Sequence, residues 1–156
     1  MTHHRFRCAL HAVNSLFQRK EFVRYDFDDI ARSLSPGKLI CPHKSVFGTG
    51  NYDVNVIMAA LSSKGKRVEW WDRRNDPAEM KTEGLFGLIV NRQTQSLKGI
   101  WKSKHWIGVP CKGGIFYNCD SNLPHPVQFK SREELDEFMR KEIDGNGEVL
   151  RVLNEE

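Results

Sequence analysis

A cysteine at residue 8 stands at the head of RCALHAVNSLF, residues 7–17, and His11 follows it one helical turn later. A thiol attacks a carbonyl carbon only as the thiolate, and an ordinary cysteine pKa of roughly 8.5 leaves little thiolate at neutral pH. A helix N-terminus lowers that pKa through its unpaired backbone N–H groups, and a neighbouring imidazole that takes the proton completes the activation. The imidazole in turn needs a third group, an Asn or Asp, on its other ring nitrogen. His105 is the second candidate imidazole. It opens HWIGVPCKGGIFYNCD, residues 105–120, in which Asn118 and Asp120 lie beyond Gly113 and Gly114. If this stretch folds back symmetrically about the two glycines, residues near 105 face residues around 120 to 122; a bulge at Pro110 would shift the pairing. Asn118 and Asp120 share one face because strand side chains alternate. Spacing thus supplies the parts of a Cys-His-Asn protease, with a carboxylate beside the amide. It also admits plainer roles. Cys8 can be a small buried apolar residue and His11 a core histidine bonded to a backbone carbonyl; Asn118 and Asp120 can satisfy turn backbone.

The elements that must position these residues are readable from periodicity. Leu10, Val13 and Phe17 recur at helical spacing after Cys8, with Leu16 beside them. DFDDIARSLSPG reads as a second helix, acidic at its front and ended by Ser35-Pro36-Gly37. In NYDVNVIMAALSSKG, Asn51 or Asp53 can cap a third helix whose stripe is Val54, Ile57, Met58 and Leu61, with Gly65 closing it. The pattern then changes. RVEWWD and GLFGLIVN read as strands, the Gly113-Gly114 stretch as a hairpin, and EVLRVLN as a last strand. SREELDEFMRKEI opens with a capping box, Ser131 to Glu134, and predicts a fourth helix. Helices first and strands second imply an α+β domain rather than alternating βαβ units.

Composition narrows the setting. A chain of 156 residues suits one domain with its own core, 1–156, and 39% hydrophobic with 28% charged residues is ordinary globular usage. No apolar run is long enough to span a bilayer, and MTHHRFRC has no secretory character. The four cysteines, Cys8, Cys41, Cys111 and Cys119, are therefore expected as free thiols in a reducing, cytoplasmic or nuclear compartment. Cys8-x-x-His11 and Cys41-x-His43 look superficially like metal ligands, but their spacings do not repeat, and no metal is expected. The net charge of +4 is scattered, and Trp70 and Trp71 read as core or groove residues, so a nucleic-acid surface is not expected.

Taken in order, CALHAVNSLFQ, LSPGKLICPHKSVFGTGNYDVNVIMAAL, WWDRR, KHWIGV and YNCDSNL resemble the Josephin family of cysteine deubiquitinases over nearly the whole chain. The resemblance is closest to small members that are little more than the Josephin domain. It implies a papain-like α+β fold, with N-terminal helices and a helical arm over Asp26 to Phe47 packed on a mainly antiparallel sheet. It implies cleavage at the C-terminal glycine of ubiquitin, with Cys8 matching the nucleophile, His105 the general base and Asn118 the orienting residue. His11, Asn14 and Trp106 match positions flanking the site, Trp106 as a substrate contact, and Asp120 is a further candidate beside the triad. Family members usually carry a Gln five residues before the nucleophile, whose side-chain amide helps form the oxyanion hole, where this chain has His3. Either His3 substitutes, or the backbone N–H of Cys8 works alone, or turnover is impaired. The resemblance further implies ubiquitin or polyubiquitin as partner, a monomer, and no cofactor; the rival is a ubiquitin-binding module with weak or no turnover.

Overall fold

A computed structural model describes residues 5–34, 54–95 and 102–155. Helix α1 spans Arg5–Phe17, α2 Arg24–Leu34, α3 Val54–Ser62 and α4 Arg132–Asp144. The strands are β1 Lys66–Trp70, β2 Leu85–Gln95, β3 Lys102–Lys112, β4 Ile115–Asn118, β5 Val127–Gln128 and β6 Glu148–Asn154. They form one sheet in the order β1-β6-β2-β3-β4-β5, antiparallel at every pairing. The fold is α+β, as the order of helices and strands predicts. His3, Cys41, His43, the Ser35-Pro36-Gly37 stop, the Asn51 and Asp53 caps and most of the arm beyond α2 lie outside the described residues.

Two apolar layers hold the sheet. On one side α1, α2 and α3 bury Ala9, Ala12, Val13, Leu16, Phe27, Ile57 and Leu61 against Ile89, Trp106, Leu150 and Val152. On the other, Leu135, Met139 and Ile143 of α4 pack on Leu88, Val90, Ile107, Val109 and Val149. Strand alternation sorts neighbours to opposite layers, so Trp106 faces α1 and Ile107 faces α4. Helix α4 starts as its sequence dictates: the Ser131 side chain accepts from the Glu134 backbone N–H at 3.2 Å.

Gly108 on β3 decides how close α1 can come. A Cβ there would collide with Ser15 Oγ and the Ala12 carbonyl. Glycine lets the helix backbone rest directly on the strand, which fixes the height of Cys8 over the sheet. Trp70 departs from expectation. At the end of edge strand β1 it is 48% exposed, and Trp71, the next residue, is the one packed against the α4-side core. Among the described residues no helix is long and apolar enough to cross a membrane.

Candidate active site

Helix α1 begins at Arg5, three residues before the cysteine, so Cys8 closes its first turn instead of opening the helix. The dipole of the free N–H groups still acts within that turn. Ala9, Ala12, Val13 and Leu16 bury the face that lies on the sheet, and Cys8 is drawn in with them to 3% exposure.

His105 sits where α1 and β3 meet, and its ring has a partner on each side. Its Nε2 lies 2.6 Å from Asp120 Oδ1. An ionised carboxylate only accepts, so Nε2 carries the proton and Nδ1 is the ring atom left for the Cys8 thiol, with which the ring is also hydrogen-bonded. The bond to Cys8 raises the His105 pKa above its ordinary value; burial opposes this, and Asp120 adds to the rise. Burial pushes the Asp120 carboxyl up, but the Asn122 backbone N–H at 2.9 Å, the His105 ring and the Arg92 charge outweigh it and leave it below the usual range. The arrangement favours imidazolium beside a carboxylate.

The contact expected of Asn118 is therefore made by Asp120. The β3–β4 register explains this. Cys111 pairs with Phe116, and the Cys119 N–H donates to the Gly108 carbonyl at 3.0 Å, so no bulge at Pro110 shifts the strands. Asn118 then falls level with Val109, two residues further from His105 than Asp120, roughly 6.6 Å along the strand. Its Oδ1 instead accepts from the Asp120 backbone N–H at 3.1 Å and shapes the turn that presents the carboxylate.

The remaining candidates divide. His11 is exposed and donates through Nε2 to the Cys119 carbonyl at 3.1 Å, tying α1 to the residue before Asp120 without meeting His105. Asn14 clasps the Phe22 backbone at 2.9 and 2.8 Å and holds the turn after α1. Trp106 is a correction: at 3% exposure it is part of the α1-side core and offers no surface to a substrate. Cys119 is a second buried thiol, and burial pushes its pKa up despite the Ser15 hydroxyl, so it stays protonated where Cys8 has an imidazole. Among the described residues no cluster of three His, Cys, Asp or Glu side chains is disposed to hold a metal ion.

Two residues next to the site carry no motif. Arg92 of β2 donates to Asp120 Oδ2 at 3.3 Å and to Glu142 of α4 at 2.6 Å. Both left a faint signal. Arg92 follows the apolar run LFGLIV in the same strand, and Glu142 falls on the apolar stripe of Leu135, Met139 and Ile143.

The Josephin family model matches residues 4–153. Josephin-2 of Homo sapiens is 36% identical over 154 residues, covering 96% of this chain and 82% of the relative. A Josephin-like protein of Drosophila melanogaster is 36% identical over 158 residues, covering 97% and 72%. A Josephin-like protein of Arabidopsis thaliana is 35% identical over 151 residues, covering 87% and 42%.

Proposed function

Because the chain belongs to the Josephin family, a family of ubiquitin-related cysteine protease domains, we propose that it is a cysteine-type deubiquitinase. In this reading it hydrolyses amide, isopeptide or ester bonds at the C-terminal glycine of ubiquitin. Cys8 is the nucleophile, His105 carries the proton, and Asp120 orients His105. The supporting observation is one imidazole held between a thiol and a buried carboxylate. Asp120 replaces the Asn118 that the resemblance alone would assign.

The chemistry follows from these positions. The Cys8 thiolate attacks the glycine carbonyl carbon, and charge develops on its oxygen. The unpaired backbone N–H groups of the first turn of α1, which contains Cys8, are candidate donors to that charge, and His3 is a second candidate donor outside the described residues. His105 gives its proton to the leaving nitrogen or oxygen, the C–N or C–O bond breaks, and a thioester remains on Cys8. Neutral His105 then takes a proton from water as the hydroxide adds to the thioester carbon. Cys8 leaves as thiolate, and ubiquitin is released with a free carboxyl group. Asp120 stabilises the imidazolium in both halves and takes no proton itself. Ubiquitin or polyubiquitin is the partner, and a cytoplasmic or nuclear monomer is the working form.

The test uses ubiquitin carrying a C-terminal electrophile, together with a fluorogenic ubiquitin amide. The wild type is expected to become labelled at Cys8 and to turn the amide over. Cys8→Ala is expected to do neither while binding ubiquitin within about threefold, since one sulfur carries the chemistry and little contact area. Binding by the wild type without labelling or turnover would instead establish a ubiquitin-binding module.

A further inference from the structure

Behind the His105 ring, one guanidinium lies between two buried carboxylates. Arg92 stands directly opposite His105 in the β2–β3 register, so the two side chains share a face. One edge of the guanidinium forks onto Glu142: Nε donates at 2.9 and 3.1 Å and Nη2 at 2.6 Å. The remaining corner, Nη1, donates to Asp120 Oδ2 at 3.3 Å. Asp120 and Glu142 are each 7% exposed. Glu142 is itself fixed. The Gly147 N–H donates to its carbonyl at 2.7 Å, and a Cβ on Gly147 would lie 2.6 Å from both that carbonyl oxygen and the Asn91 carbonyl oxygen. The end of α4 is thereby pressed onto β2, one residue from Arg92.

We propose that Arg92, restrained by Glu142, is a positioning residue for the Asp120–His105 pair, pinning the second carboxylate oxygen of Asp120 with a single hydrogen bond. Neither Arg92 nor Glu142 is assigned a contact with the nucleophile or the substrate; both act through Asp120. This inference rests on the reading of Cys8, His105 and Asp120 given above.

The uneven division of the guanidinium matters. A carboxylate held by only one oxygen can rotate, and an orienting group that rotates aims His105 poorly. A carboxylate gripped by both edges of an arginine would be nearly neutralised and would hold an imidazolium weakly. Glu142 takes the stronger, forked share, so Asp120 is fixed yet keeps its charge for His105. With Cys8 as thiolate and His105 as imidazolium, charges alternate in sign from Cys8 of α1 through His105, Asp120 and Arg92 to Glu142 of α4. Among the described residues, these are the charged groups that meet the His105–Asp120 pair from the elements around it.

The test compares Glu142→Gln, Arg92→Lys and the double variant Arg92→Gln/Glu142→Gln with the wild type. Three properties are read: kcat and KM on the fluorogenic ubiquitin amide, the pH dependence of Cys8 alkylation by iodoacetamide, and thermal unfolding. Glu142→Gln frees Arg92 to grip Asp120 with both edges. The alkaline limb of alkylation is then expected to move down by about half to one pH unit, and kcat to fall about three- to tenfold with KM within about twofold. Arg92→Lys keeps the charge and loses the fork; kcat is expected to fall about tenfold. The double variant removes both charges together, avoids an unpaired buried carboxylate at 142, and is expected to keep its fold while losing kcat as Arg92→Lys does. Unchanged kcat and an unchanged limb in folded variants would overturn the proposal and leave the pair as a brace between α4 and the sheet. Alkylation needs no ubiquitin. A wild type inert toward ubiquitin would therefore sink the substrate assignment while the alkylation profiles still decided the role of Arg92.

Discussion

On the α1 side of the sheet, the groups that place Cys8 are apolar and close-packed: Ala9, Ala12 and Val13 are fully buried, Gly108 meets the helix backbone, and Trp106 fills the layer beneath. On the α4 side, the same end of the sheet carries His105, Asp120, Arg92 and Glu142, linked by charged hydrogen bonds. Packing is steep in distance and indifferent to pH, whereas a charged row responds to every proton within reach. Cys8 is thus located by shape and His105 is aimed by charge. The two halves should fail differently. Damage to the first should cost stability and reactivity together; damage to the second should cost catalysis first.

The largest effect is expected on the charged side. Asp120→Ala removes the acceptor on His105 Nε2 and should lower kcat by about a thousandfold, because the ring loses both its orientation and its counter-charge. Asn118→Ala removes only the acceptor for the Asp120 backbone N–H and should cost less than about tenfold. The measurement is kcat on the fluorogenic amide for both variants. A greater loss from Asn118 would return the orienting role to the amide.

On the packing side, Gly108→Ala should lift α1 from the strand. Overpacking of this kind costs about 1–3 kcal/mol, which lowers Tm by several degrees in a chain of this size. Cys8 alkylation and kcat should fall together by about tenfold, since the sulfur leaves the ring it faces. Unfolding scans and alkylation rates on one preparation check this. A variant with normal Tm and normal kcat would mean that α1 is not held by this contact.

What the sequence made legible follows the same division. The apolar layers were readable because burial imposes a period: the strands from GLFGLIVN and EVLRVLN occur where the pattern put them. The inward faces of the helices, by contrast, are turned from the expected ones. Helix α1 buries Ala9, Ala12, Val13 and Leu16 with Leu10 and Phe17 half-buried, and α3 buries Val56 and Ala60 beside Ile57 and Leu61 with Val54 and Met58 half-buried. The hairpin was readable from Gly113-Gly114, both with positive φ, 59° and 80°, and its register only approximately. The charged side was not. Asn118 and Asp120 share a face, so alternation could not choose between them, and the choice fell to strand register. Arg92 and Glu142 are about fifty residues apart and meet only after β2 and α4 pack. Trp106 was misread because an aromatic residue beside a candidate base can face either the cleft or the core, and alternation against Ile107 is what turns it inward. The two-residue β5 and the three-residue 3-10 turn at Pro77–Glu79 are too short to carry a period.

The pH profile sharpens the contrast. The bond to Cys8, and then Asp120, raise the His105 pKa against burial, so the ring keeps its proton above the ordinary value of about 6.5 and the thiolate–imidazolium pair persists to higher pH. Asp120→Asn takes away the negative charge that favours the imidazolium. Its alkaline limb of Cys8 alkylation should therefore lie at lower pH than the wild type's, by about one unit. In Gly108→Ala the rate should fall with that limb in place, because Asp120 still faces the ring. A limb that moved equally in both variants would dissolve the distinction between shape and charge.

The smallest effect is expected at His11, which belongs to neither half. Its ring is exposed, and its one hydrogen bond ties α1 to the Cys119 carbonyl, immediately before Asp120. The bond joins the helix that carries Cys8 to the turn that carries Asp120. It joins them through backbone, and the Cys119 N–H is separately held by the Gly108 carbonyl at 3.0 Å. Losing one such bond at a partly exposed position costs about 1 kcal/mol or less. His11→Ala should therefore lower kcat by about two- to fivefold and leave KM and the alkaline limb unchanged. His11→Gln, which can still donate to the same carbonyl, should recover most of the loss. Steady-state kinetics on the three proteins across pH provide the check. A loss approaching that of His105→Ala, or a shifted limb, would mean that His11 holds the proton that His105 is assigned here.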